Sequence, residues 1–232
     1  MCIRDRVYEA CSPGFRGRCT APLLVDGATK RIVCNESADL VRMLNEVRGL
    51  PGDNGVDLYP AALRGEIDIT NDLTYRTINN GVYCCGFATT QAAYDAAAAE
   101  LGASMAALDA RLASRRFLCG ERFTEADLRL FPTIARFDAV YAGIFKCGAR
   151  RVADLPHLGA WMRDVHQLRV PGGGLQVADA LDVDAARRSY YTNLFPLNPG
   201  LIVPSGPTAA DLRLDAPPGR GSQRFEDVFH FQ

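Results

Sequence analysis

Eight cysteines, at 2, 11, 19, 34, 84, 85, 119 and 147, are the residues of this chain most suited to nucleophilic or metal chemistry. No two stand at Cys-x-x-Cys spacing, and only three histidines, His157, His166 and His230, accompany them. Metal sites usually draw ligands as short-spaced pairs, so no zinc centre is expected and the histidines read as surface or structural. Reduced thiols, mostly buried as small hydrophobes, are the expectation. Cys34 stands out by position: it ends a strand two residues before a helix start, where the dipole favours thiolate, although its place in the alternation suits a buried side chain. The Glu36-Ser37 pair that follows suits a helix cap. Thr124-Glu-Ala-Asp127 resembles a capping box and reads as structural.

Periodicity and punctuation define the elements that hold these residues. Ala21-Pro-Leu-Leu-Val-Asp26 and Arg31-Ile-Val-Cys-Asn35 are short apolar runs around Gly27-Ala-Thr-Lys30, a pattern that predicts a β-hairpin. Beyond Asn35 the period becomes helical, with Leu40, Val41, Leu44 and Val47 on one face. Residues 48–60, with three Gly and two Pro, read as an interdomain linker. After it strands all but vanish. Helices are predicted over 61–79 (ending at Asn79-Asn80-Gly81), 89–113, 124–142 and 155–168, and, past a Gly/Pro break at 171–174, near 182–191. The plan is a small α/β unit over 7–47, the linker, an all-helical domain over 61–191, and an extended or disordered tail over 192–232.

A hydrophobic content of 48% and a net charge of −1 describe an ordinary soluble globular protein, with no charge-driven nucleic-acid or membrane partner. No run is long enough for a transmembrane helix, and Met-Cys-Ile-Arg-Asp-Arg lacks the apolar core of a signal peptide, so a cytoplasmic location is expected.

Several segments together resemble one family. Asn35-Glu-Ser-Ala-Asp-Leu-Val-Arg-Met-Leu-Asn45, Asn79-Asn-Gly-Val-Tyr83 with Gly86-Phe-Ala-Thr-Thr-Gln91, Leu128-Arg-Leu-Phe131 and Arg136-Phe-Asp-Ala-Val-Tyr141 are similar to segments of the glutathionyl-hydroquinone reductases. So are Phe145-Lys-Cys147, Tyr190-Tyr191, Asn198-Pro199 and Ile202-Val-Pro204. The likeness runs in order from about Val7 to Pro207. It implies a glutathione transferase-like fold, with a partial thioredoxin-like α/β N-terminal domain followed by an all-α C-terminal domain. It also implies glutathione as co-substrate, glutathionyl-hydroquinones as substrates, and a homodimer when the protein is full-length.

In that family a cysteine in a Cys-Pro-Trp segment, after the first thioredoxin strand, attacks the sulfur of the glutathionyl-hydroquinone. This sequence contains no Cys-Pro, so an N-terminally truncated chain, inactive alone, is expected. The resemblance carries glutathione contacts to Arg18, Cys19, Thr20 and Ala21, before a Pro22 that is cis in the family, and to Glu36 and Ser37. It makes Tyr83 a proton donor or acceptor for the hydroquinone, and gives Tyr141 and Tyr190 a part in lowering the thiol pKa. Cys34 is the one thiol to weigh as a substitute nucleophile. A non-catalytic glutathione-binding or scaffold protein of the same fold, and a glutathione conjugating transferase, are the rival readings.

Overall fold

The hairpin forms where the two apolar runs predict it. In the computed structural model, which describes residues 3–51, 53–170, 174–221 and 224–232, β1 (Leu24–Val25) pairs antiparallel with β2 (Ile32–Cys34). The Asp26 carboxylate accepts the N–H groups of Ala28 and Thr29 at 2.8 and 3.1 Å, and Lys30, with φ of 58°, closes the turn. Helix α2 (Ser37–Glu46) follows. Helix α1 (Ile3–Cys11) precedes the hairpin and has no counterpart in the sequence reading. These elements belong to one compact unit, Met1–Asp53; a second spans Asn54–Gln232.

The second unit is helical, as the apolar periodicity requires. Its elements are β3 (Val56–Asp57), α3 (Arg64–Thr74), α4 (Gly81–Gly86), α5 (Gln91–Leu112), α6 (Glu125–Arg136), α7 (Ala142–Ile144), α8 (Pro156–His166), α9 (Val183–Asn193), α10 (Phe225–Val228) and β4 (His230–Phe231). Helix α5 is the spine against which α4 and α8 pack. Trp161, Phe117, Phe137, Phe145 and Met105 are fully buried around it. Thr124 and Asp127 form the expected capping box, and the tertiary structure gives Asp127 more to do. Its buried carboxylate accepts Leu118 N–H and Trp161 Nε1–H, both at 2.9 Å, besides Thr124 N–H at 3.0 Å. Burial pushes this carboxyl up and those donors draw it back down.

Three readings are corrected here. The predicted helix end at Asn79-Asn80-Gly81 is a π-helical turn, Tyr75–Asn79, after which the chain continues as α4. Asn80 N–H bonds Tyr75 C=O at 2.8 Å, five residues back, so the backbone stays satisfied through the asparagines. Residues 48–60 include a strand, β3, whose partner β4 lies at the far end of the sequence (Val56↔Phe231, Asp57↔His230). Residues 192–232 include a long extended stretch, but its described part is tied down. Leu214 is buried, Gln167 donates to the carbonyls of Leu214 and Ala216, both at 2.8 Å, and Arg220 donates to Leu112 C=O at 2.8 Å. Such ties use backbone carbonyls and single apolar plugs, which leave no periodic trace. Of the Gly/Pro break at 171–174, residues 171–173 lie outside the described residues.

Candidate functional site

The residues proposed to meet glutathione fall in two clusters of the first unit, and one side chain joins them. Tyr8, fully buried on α1, donates its hydroxyl to Thr20 C=O at 3.0 Å and accepts from Asn35 Nδ2 at 3.2 Å. It thereby ties the segment Arg18-Cys19-Thr20-Ala21 to the corner that opens α2. The Ala21–Pro22 bond is cis. Glu36 is the N-cap of α2, its carboxylate accepting Ala38 N–H at 3.4 Å, and Ser37 is the first helical residue. Arg18, Thr20, Ala21, Glu36 and Ser37 are exposed and Cys19 is half-buried. An exposed helix N-terminus carrying a hydroxyl, beside a guanidinium, can receive a carboxylate. Cys34 Sγ accepts Glu36 N–H at 3.3 Å and donates to Glu36 C=O at 3.5 Å, so its thiol is occupied with the corner itself.

The second unit holds the tyrosines. Tyr83 on α4 and Tyr190 on α9 bring their hydroxyl oxygens to 2.6 Å, and Tyr141 reaches Tyr190 at 3.2 Å. Three residues far apart in sequence thus share one hydroxyl chain. Tyr141 is 1% exposed, whereas Tyr83 and Tyr190 are half-buried. Burial, then the Tyr190 hydrogen bond, pushes the Tyr83 hydroxyl up to about 12. Burial also pushes Tyr141 up, against the pull of Arg136, whose guanidinium lies 5.8 Å from the Tyr141 ring centroid. Both phenols therefore keep their protons at neutral pH and can donate hydrogen bonds or a proton.

Local backbone geometry sets this cluster. The π-turn Tyr75–Asn79 precedes α4, and a second, Phe137–Tyr141, contains Tyr141 itself. Each extra residue rotates the downstream helix by roughly 100°, a shift that a plain helical period cannot reveal. Phe145 packs the cluster: it stacks on Tyr141 with centroids 5.6 Å apart and meets Tyr83 at 5.1 Å. Gly86 makes room for it, since a Cβ there would lie 2.2 Å from the Phe145 ring. Phe145, Gly86 and Tyr8 are the residues to which sequence reasoning assigned no role. The first two sit inside resembling segments, a signal that marked them without saying why.

None of the seven described cysteines is in a disulfide. Burial raises the thiol of Cys85, that of Cys119 to about 11 and that of Cys147 to about 12, so these three are poor nucleophiles. Among the described residues no group of three or more His, Cys, Asp or Glu could hold a metal ion, and no helix is long and apolar enough to cross a membrane.

The helical unit is of glutathione transferase type: residues 91–164 match the family model "Glutathione S-transferase, C-terminal domain". A glutathionyl-hydroquinone reductase of Sphingobium chlorophenolicum is 46% identical over 206 residues, covering 87% of this chain and 63% of that protein. The glutathione-bound structure of an Escherichia coli glutathione transferase homologue superposes with TM-score 0.82 at 39% identity, covering 93% of this chain and 67% of that one. The Xi-class enzyme of Phanerochaete chrysosporium gives 0.82 at 41%, covering 88% and 68%. The chain belongs to the glutathionyl-hydroquinone reductase family of the glutathione transferases. It spans 63% of the length of the S. chlorophenolicum and E. coli reductases.

Proposed function

We propose that this chain serves the glutathione-dependent reduction of glutathionyl-hydroquinones to hydroquinones, with glutathione as co-substrate and a homodimer as the working assembly. The observation that carries the reading is the Tyr83–Tyr190–Tyr141 hydroxyl chain. A cysteine thiolate attacks the glutathione sulfur, the sulfur–carbon bond breaks, and the ring carbon takes up one proton. The products of that step are the hydroquinone and an enzyme–glutathione disulfide, which a second glutathione resolves to glutathione disulfide. Tyr83, held protonated by burial and half-exposed, supplies the ring proton, and Tyr190 and Tyr141 lower the thiol pKa by hydrogen bonding. Glu36, Ser37 and the amides of α2 take the γ-glutamyl end of glutathione, with Arg18, Cys19, Thr20 and Ala21 along its backbone. The attacking thiol belongs to a Cys-Pro-Trp segment, which this sequence does not contain.

The test compares the 232-residue chain with a chimera that places a thioredoxin-like segment bearing Cys-Pro-Trp before Val7. Given a glutathionyl-hydroquinone and glutathione, the chimera turns over and the chain alone does not. In the chimera Tyr83→Phe slows release of hydroquinone by about a hundredfold or more. Glu36→Ala with Ser37→Ala weakens calorimetric glutathione affinity by about tenfold or more. Turnover by the chain alone that survives Cys34→Ser would overturn the assigned mechanism, and turnover lost with Cys34 would make that thiol the nucleophile.

A further inference from the structure

The helical unit contains a cavity of about 480 Å³ that the tyrosine chemistry does not use, at the N-terminal half of α8 beneath the segment 207–213. Three arginines line it: Arg151, Arg163 and Arg213. Among the described residues none of the three guanidinium groups makes an ion pair or a hydrogen bond, and Arg163 Nε is buried without a partner. The Arg163 side chain lies over Gly159, with Nη1 3.5 Å from where a Cβ would stand, so it follows the cavity wall.

Two carboxylates also line the space, and both are engaged by other groups. Asp138 accepts the N–H groups of Val152 and Ala153 at 2.8 and 3.1 Å. Asp211 accepts Thr208 N–H at 2.7 Å and its hydroxyl at 2.8 Å. Each holds a turn in place. The cavity therefore presents uncommitted positive charge, and Leu155, Met162 and Leu212 supply an apolar wall beside it. A buried donor without a partner is costly, and an oxyanion is the group that relieves three guanidiniums at once. The volume is that of a small-molecule site.

We propose that this cavity binds a small organic anion: an apolar or aromatic body bearing one carboxylate, sulfonate or phosphate group, with the oxyanion on Arg163, Arg213 and Arg151. The site is separate from the tyrosine cluster and stands independently of the reductase reading.

The probes are anilinonaphthalene sulfonate, phenylnaphthylamine (the same aromatic body without the charge) and inorganic phosphate (the charge without the body). Binding is followed by calorimetry and by energy transfer from Trp161, the single tryptophan. The sulfonate binds the full chain, the neutral amine binds at least about tenfold more weakly, and phosphate competes with the sulfonate. Arg163→Gln weakens the sulfonate by about tenfold, and Arg151→Gln and Arg213→Gln by about threefold each, without changing affinity for the amine. Arg151 and Arg213 are exposed, so those two variants decide the matter if Arg163→Gln fails to fold. Equal affinity for sulfonate and amine, or sulfonate affinity unchanged in both exposed-arginine variants, would overturn the proposal.

Discussion

Between residues 3 and 51 a single described side chain, Tyr8, is fully buried, whereas the unit from Asn54 onward buries Trp161, Phe117, Phe137, Phe145 and a continuous apolar core around them. Both units contain amphipathic helices. On α2, Leu44 is 69% exposed and Met43 is also exposed, while Leu130 and Ile134 of α6 are fully buried. An amphipathic pattern thus records that a helix has an apolar face, and says nothing about how completely that face is covered. The consequence is energetic. Most helical stability comes from tertiary packing, so helices of similar pattern differ in stability according to what backs them.

Hydrogen exchange probes this comparison most directly, and the largest effect is expected there. Strands of two and three residues, with no second neighbour among the described residues, leave most hairpin amides open to water. Amides across 20–34 should exchange nearly at the unprotected rate, and those of α5 and α6 should be protected by most of the global stability, about 5 kcal/mol or more. Hairpin amides protected as strongly as α5 in a monomer would break the comparison.

Asp127→Ala comes next. It strands the N–H groups of Leu118, Thr124 and Trp161 inside the helical unit and should cost about 3–5 kcal/mol, measured by urea unfolding through Trp161 fluorescence. Rapid exchange across 20–34 should be unchanged. Asp127→Asn keeps an acceptor and should cost less. Gly86→Ala is the smallest of the three. A methyl group forced against the Phe145 ring should cost about 1–3 kcal/mol and disturb the packing under Tyr83 and Tyr141. A change below about 0.5 kcal/mol would mean that the ring can move aside, and that the close approach does not hold the tyrosines.

The elements were legible where a period could speak. The hairpin, α2, α5, α6 and α8 all appear where apolar spacing and turn residues put them, because those signals depend on neighbours within a few positions. The family likewise came through the sequence, in segments such as Asn79-Asn-Gly-Val-Tyr83 and Tyr190-Tyr191. Helix α1 and strand β3 did not, since nothing in Ile3–Cys11 or Val56–Asp57 names a partner. The asparagines at 79 and 80 looked like a helix stop because a π-turn is written in residues that also end helices.

Residue types and spacing by themselves determined the helical character beyond Pro60, the hairpin, the cap of α6 and the identity of the tyrosines. All of these rest on local preference or on segments read directly from the chain. Only the tertiary structure decided that the hydroxyls of Tyr83, Tyr141 and Tyr190 meet, that Tyr8 joins residues 18–21 to the start of α2, and that three arginines face one cavity without partners. The physical reason is common to all three. A hydrogen bond or an unpaired charge depends on distance and burial, and for residues 107 positions apart, as Tyr83 and Tyr190 are, these are set by how helices pack rather than by their order in the chain.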